Sequence, residues 1–200
     1  DSLAGPSEIL IIADASAQAG QVAADLLAQA EHDPLAAAIL LTPDAALAQA
    51  VVQAVAAQLE QHPRRLLTEK SIAHYGLVVV VESLAQAAEL ANLFAPEHLQ
   101  LAVADPWDLL PQIRHAGAIF LGHHTPEALG DYLAGPNHTL PTAGAARFSS
   151  GLSVETFLKA SSIISASATA LHRLGEAVIV LAESEGLHSH AESVRLRLKP

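Results

Sequence analysis

From Glu8 to Leu121, short apolar runs alternate with longer stretches whose apolar residues recur at helical spacing. Ile9–Ala13 (ILIIA) reads as a buried strand, and Gln18–His32 carries the helical pattern that follows it. Ala38–Leu41 begins a second strand, and Pro43-Asp44 turns the chain into an Ala-rich helix over Ala45–Gln61. Leu77–Val81 (LVVVV) is the strongest strand by pattern, being continuous, β-branched and bounded by Gly76 and Ser83. Ser83 is placed to cap a helix reaching about Leu93. His98–Val103 alternates like a partly exposed strand, Trp107–His115 is predicted helical, and Ala118–Leu121 is a strand again. Repeated β–α alternation implies a mostly parallel, Rossmann-like sheet flanked by helices, an α/β fold.

The pattern breaks at Gly122. The stretch Gly122–Gly151 is rich in Gly, Pro, His and Thr and predicts an irregular connection, with Tyr132, Leu133, Leu140 and Phe148 as its anchors. Helices are expected over Ala166–Glu185 and Leu187–Leu198, the second ending in Arg195, Arg197 and Lys199, which complement its dipole. The expected division is an α/β domain over residues 1–150 and a small helical C-terminal extension over residues 151–200. The chain opens on Asp1 and runs almost at once into a strand, which reads as a sheet left incomplete by a missing N-terminal portion.

Composition narrows the chemistry. A formal net charge of −11 repels nucleic acid and anionic membrane surfaces, so neither is expected as a partner. There is no cysteine, so any metal must be held by imidazole, carboxylate or amide oxygen. No apolar run approaches the ~18 residues of a membrane span.

Four groups could carry that chemistry. Gln29 and His32 share one face near the end of their helix, though a polar helix end facing water fits the same spacing. Glu97 and His98 follow Pro96 at a strand start. Successive strand residues point to opposite faces, so the two serve one site only if the backbone is irregular there. Asp131 and His138 flank the Gly135-Pro136 turn, where a carboxylate and an imidazole suit a zinc-type site, or else a capped turn and an exposed histidine. Glu185 and His190 lie at the junction of the last two helices, which is also simply a hairpin tip.

Taken in order, DSLAGPSEIL (Asp1–Leu10), DLLAQAEH (Asp25–His32), APEHL (Ala95–Leu99), GDYLAGPNHTLPT (Gly130–Thr142), FSSGL (Phe148–Leu152) and the Glu185/His190 pair resemble the histidinol dehydrogenase family over essentially the whole chain. The resemblance implies oxidation of L-histidinol to L-histidine with two NAD in sequence, the last step of histidine biosynthesis, in a cytoplasmic homodimer. It implies one Zn2+ held by Gln29, His32, Asp131 and His190, and Glu97 and His98 as acid/base residues. Substrate contacts would come from Ser7, Gln29, His32, His98, Asp131, His138, Glu185 and His190, with the late Glu/His pair reaching a partner's site.

The family's NAD contacts are expected in the missing N-terminal half, and no Gly-x-Gly-x-x-Gly fingerprint replaces them here. Dehydrogenation by the isolated chain is therefore not expected. A zinc- and imidazole-binding module without redox activity is the alternative, and a structural remnant a third possibility.

Overall fold

A computed structural model describes residues 3–199. They fall into two compact units that divide between Phe157 and Leu158.

The first unit is built on a five-stranded sheet, all parallel, in the order β3-β2-β1-β4-β5. Its strands are β1 (Glu8–Ala13), β2 (Ala37–Thr42), β3 (Gly76–Val80), β4 (His98–Ala102) and β5 (Ala118–Leu121). Alternate residues of β1 face opposite layers. Ile9 and Ile11 pack with Val22 and Leu26 of α1 (Ala19–Ala30) and Val51 of α2 (Ala45–Glu60). Leu10 and Ile12 pack with Ala87, Ala88 and Ala91 of α4 (Leu84–Phe94). A strand buried on both faces has to be apolar throughout, which is why ILIIA shows no alternation. Asp44 caps α2 through the backbone amides of Ala46 and Leu47, and the Ser83 hydroxyl accepts from the Gln86 amide to start α4.

Several elements differ from the sequence pattern. Leu77–Val81, the most apolar run, forms the edge strand β3, with Leu77 and Val80 half exposed. β4 alternates in sequence yet is buried at every position, because it lies between β1 and β5. Its polar Gln100 is accommodated by donating to the Asp25 carboxylate at 3.0 Å. The helix α3 (Arg65–Tyr75) gives no apolar stripe; it docks through Ile72 and through buried Ser71, whose hydroxyl donates to the Ala36 carbonyl, while buried Thr68 donates to the Arg64 carbonyl one turn earlier. The segment expected to be helical over Trp107–His115 is a single turn, α5 (Pro106–Leu109), followed by 3₁₀ geometry over Leu110–Gln112.

The segment after Gly122 contains a further helix, α6 (Glu127–Tyr132). Tyr132, Leu133 and Phe148 are exposed and do not anchor it. Polar ties do: the Thr142 hydroxyl donates to the Leu3 carbonyl, and the Ala143 amide donates to the Glu8 carboxylate at 3.2 Å.

The second unit is a helical hairpin, α7 (Ala168–Ser184) and α8 (His188–Leu198), around Ile179, Ala182, Ala191, Val194 and Leu198. The turn passes through Gly186 at φ +73°, a left-handed conformation that glycine adopts without Cβ strain. Among the described residues no helix is long and apolar enough to cross a membrane.

Candidate active site

The amino-terminal ends of β1, β4 and β5 meet at one rim of the sheet, and α1 returns its C-terminal end to the same rim. Ala95 adopts a left-handed conformation (φ +56°) at the end of α4, and Pro96 and Glu97 follow before β4 begins. Glu97 therefore stands just outside the strand alternation. Its carboxylate lies 3.6 Å from His98 Nδ1, so both side chains serve one place.

Glu8 and Glu97 exchange bonds across the start of β1 and β4. The Glu8 amide donates to the Glu97 carboxylate at 3.0 Å, and the Glu97 amide donates to the Glu8 carboxylate at 3.3 Å. Ser7 adds a hydroxyl bond to Glu97. Burial pushes the Glu97 carboxyl up to about 7, with the charges of Glu8 and Asp131 adding to the rise and those hydrogen bonds opposing it.

The tautomer of His98 follows from its partner. Nδ1 lies 3.0 Å from the Glu8 backbone carbonyl, which can only accept, so Nδ1 carries the proton. Nε2 is left as the basic nitrogen, buried and with no hydrogen-bond partner. It faces Glu127 at 3.8 Å and Asp131 at 4.0 Å. Burial holds the imidazole below its ordinary value, against the carbonyl bond and the charge of Asp131.

Glu127 and Asp131 lie four residues apart on α6, on one face. That face reaches the rim because α6 packs closely on β5. A Cβ at Gly130 would stand 2.7 Å from Phe120 Cε1, so only glycine allows the approach. Phe120 in turn stacks obliquely on His98, ring centroids 6.0 Å apart.

His32, Glu127 and Asp131 each offer a donor atom within 4.8 Å of the other two. Gln29 is fully buried, and neither its amide oxygen nor its nitrogen has a hydrogen-bond partner. A buried amide left without partners is costly unless something absent completes it. Imidazole, carboxylate and amide oxygen are ligands that a divalent ion such as zinc accepts. Gln29, His32 and Asp131 form a donor set that fits the metal, with Glu127 beside it.

Electrostatics point the same way. Glu8, Asp25, Glu97, Glu127 and Asp131 crowd together, and burial, then the charges of Asp131, Glu97 and Asp25, push Glu127 up to about 8. His98, Asp131 and His138 line an adjoining cavity of about 530 Å³, and no lysine or arginine is among its described lining residues. A cation bound there would relieve this excess of negative charge.

A profile of the histidinol dehydrogenase family matches residues 1–198. The chain belongs to that family. The histidinol dehydrogenase of Thermosynechococcus vestitus is 71% identical over all of this chain and 46% of its own length. That of a Synechococcus strain is 70% identical over 98% of this chain and 45% of its own. The crystal structure of histidinol dehydrogenase from Elizabethkingia anophelis superimposes with a TM-score of 0.89 at 39% identity, covering 99% of this chain and 46% of that one. The chain thus spans about half the length of the histidinol dehydrogenases it matches.

Of the residues singled out by sequence, Ser7, Glu97, His98, His32 and Asp131 gather around this rim, and Gln29 is carried there by the end of α1. His138 joins them across the cavity. Asp131 sits on a helix, not on the irregular loop that the Gly/Pro content suggested, because Glu127–Tyr132 closes a helical turn before Gly135. Glu185 and His190 belong to the second unit, Glu185 at the C-terminal cap of α7 and His190 in the first turn of α8, both exposed. Glu127 was missed. Its signal was the i, i+4 spacing to Asp131, which has meaning only once that stretch is known to be helical.

The opposite rim does not fit a dinucleotide. Strand order reverses between β1 and β4, and the carboxyl ends there are where open α/β sheets receive nucleotides. In this place the Asp14 carboxylate accepts from the amides of Ser16 and Ala104, at 2.9 and 3.0 Å. Burial tends to raise its pKa, but these bonds, the Ser16 hydroxyl and His123 outweigh it and hold the group lowered. A carboxylate held ionised at this rim would repel a pyrophosphate.

Proposed function

We propose that this chain supplies the substrate- and zinc-binding half of an enzyme that oxidises L-histidinol to L-histidine. The observation that carries the reading is His98, whose Nδ1 proton is committed to the Glu8 carbonyl while Nε2 faces an acid-lined gap as a free base. Gln29, His32 and Asp131, with His190 of a second copy in a homodimer, would hold the zinc. When bound, the ion supplies an electrophilic docking point for the substrate's imidazole and amine nitrogens.

The protein's own groups account for the proton chemistry. His98 Nε2 takes the hydroxyl proton as the alcohol carbon is oxidised, its low basicity matched to the task by burial. Glu97, raised to about 7, can both lose and hold a proton near neutrality, which suits activation of water on the aldehyde intermediate. Fixing Glu97 through Glu8 keeps its carboxylate beside His98 without reorganisation. Ser7, His138 and Glu185 would contact the substrate. NAD is the hydride acceptor that the family implies; this chain's sheet offers no cradle for it, so no cofactor contact is assigned. The reading places the activity in the cytoplasm as the last step of histidine biosynthesis.

The test is NAD reduction by the intact enzyme with histidinol. Replacing His98 with Asn should lower turnover by about a hundredfold or more while leaving zinc content unchanged. Turnover within about threefold of the parent protein would remove His98 from the role of base.

A second reading, a zinc- and imidazole-binding module without redox activity, is favoured by the plugged carboxyl rim of the sheet. Zinc and imidazole uptake by the intact protein with no NAD reduction would decide for it.

A further inference from the structure

We propose that Glu127 is a specificity residue that accepts a hydrogen bond from the substrate's primary amine. This rests on the amino-alcohol oxidation proposed above. The Glu127 carboxylate is only 2% exposed, and its Oε2 has no hydrogen-bond partner. Its Oε1 stands 3.8 Å from His98 Nε2, which also lacks one. That separation is too long for a direct bond; Glu127 shares a hydrogen bond with Asp131, yet its Oε2 and His98 Nε2 are two buried atoms that still need partners.

One alcohol hydroxyl carries a single proton and can satisfy only the lone pair of His98. Glu127 needs a second donor close beside the first. A vicinal amino alcohol has this arrangement, with its oxygen and nitrogen on adjacent carbons about one hydrogen-bond length apart. An amine whose lone pair is taken by the metal would keep its N–H groups, and these can donate to Glu127. Glu127 would thereby distinguish an amino alcohol from an alcohol of the same shape.

The test uses two imidazoles that differ only by an amine, 2-(imidazol-4-yl)ethylamine and 4-ethylimidazole, bound to the zinc-loaded intact enzyme. Replacing Glu127 with Gln should reduce the preference for the amine by about tenfold or more, since the bond is charge-assisted. Affinity for 4-ethylimidazole should stay within about twofold, and zinc content should not change. Glu127→Asp, which retains the charge at shorter reach, should keep part of the preference. An unchanged preference, an equal loss for both compounds, or a loss of zinc would each overturn the proposal. Failure of the parent protein to oxidise histidinol would sink the underlying reading separately, because the affinity ratio needs no turnover.

Discussion

Gly130 is the narrowest point in the support of the site, and Gly130→Ala should separate stability from activity. The new Cβ would lie 2.7 and 2.8 Å from Phe120 Cε1 and Cζ, where carbon atoms ordinarily keep ~3.5–4.0 Å apart. Either α6 or the Phe120 ring must therefore yield by about 1 Å. Overpacking of this sort costs about 1–3 kcal/mol, while alanine in place of glycine within a helix returns about 1 kcal/mol. The net loss is then roughly 0–2 kcal/mol, and the melting temperature should fall by no more than about 8 °C.

Activity should respond far more. α6 carries both Glu127 and Asp131, and a 1 Å misplacement of reacting groups is worth about a hundredfold. Histidinol turnover and zinc affinity of the intact enzyme are the assays. Phe120→Leu in the same chain removes the ring edge that the Cβ strikes and should restore zinc binding. Turnover and zinc affinity both within about threefold of the parent protein would show that the close approach of α6 to β5 does not position the site.

Two other outcomes follow from the same geometry. Gln29→Leu replaces an unpartnered buried amide by an apolar group of similar size, so the zinc-free protein should gain about 1–3 kcal/mol in urea melts while its zinc affinity collapses; lower stability with zinc affinity intact would refute the ligand role. Glu97 and Glu127 have native pKa values raised to about 7 and about 8 from 4.5, so their ionisation opposes folding. That penalty is absent below about 4.5 and complete above about 8. The zinc-free protein should therefore lose stability progressively from about pH 4.5 to about 8, read most cleanly above about 6.5, where His98, lowered and neutral in the fold, adds little. Zinc should reverse the slope, and a zinc-free protein that grows more stable over that range would contradict the assignment.

The sheet was legible in the sequence because its central strands are short apolar runs between helical stretches, and Asp44 and Ser83 mark helix starts by capping. What the pattern could not convey was lateral position. Leu77–Val81 has the strongest strand pattern yet lies at an edge, while β4 looked partly exposed and is fully buried, since neighbours decide exposure. α3 escaped notice because its buried residues are the hydroxyl-bearing Thr68 and Ser71, to which an apolar period is blind. Ser7, Gln29, His32, Glu97, His98, Asp131 and His138 were identified through the order of their motifs. Spacing alone left each group ambiguous. Glu127 was hidden because the composition of Gly122–Gly151 concealed α6.

The reciprocal amide-to-carboxylate bonds of Glu8 and Glu97 tie assembly of the candidate site to strand registration. A slip of β4 against β1 by one residue would turn His98 to the other side and sever both bonds at once. Misaligned chains would therefore be inert as well as misfolded. Under the proposed function, turnover per molecule of the intact enzyme would thus double as a count of correctly threaded sheets.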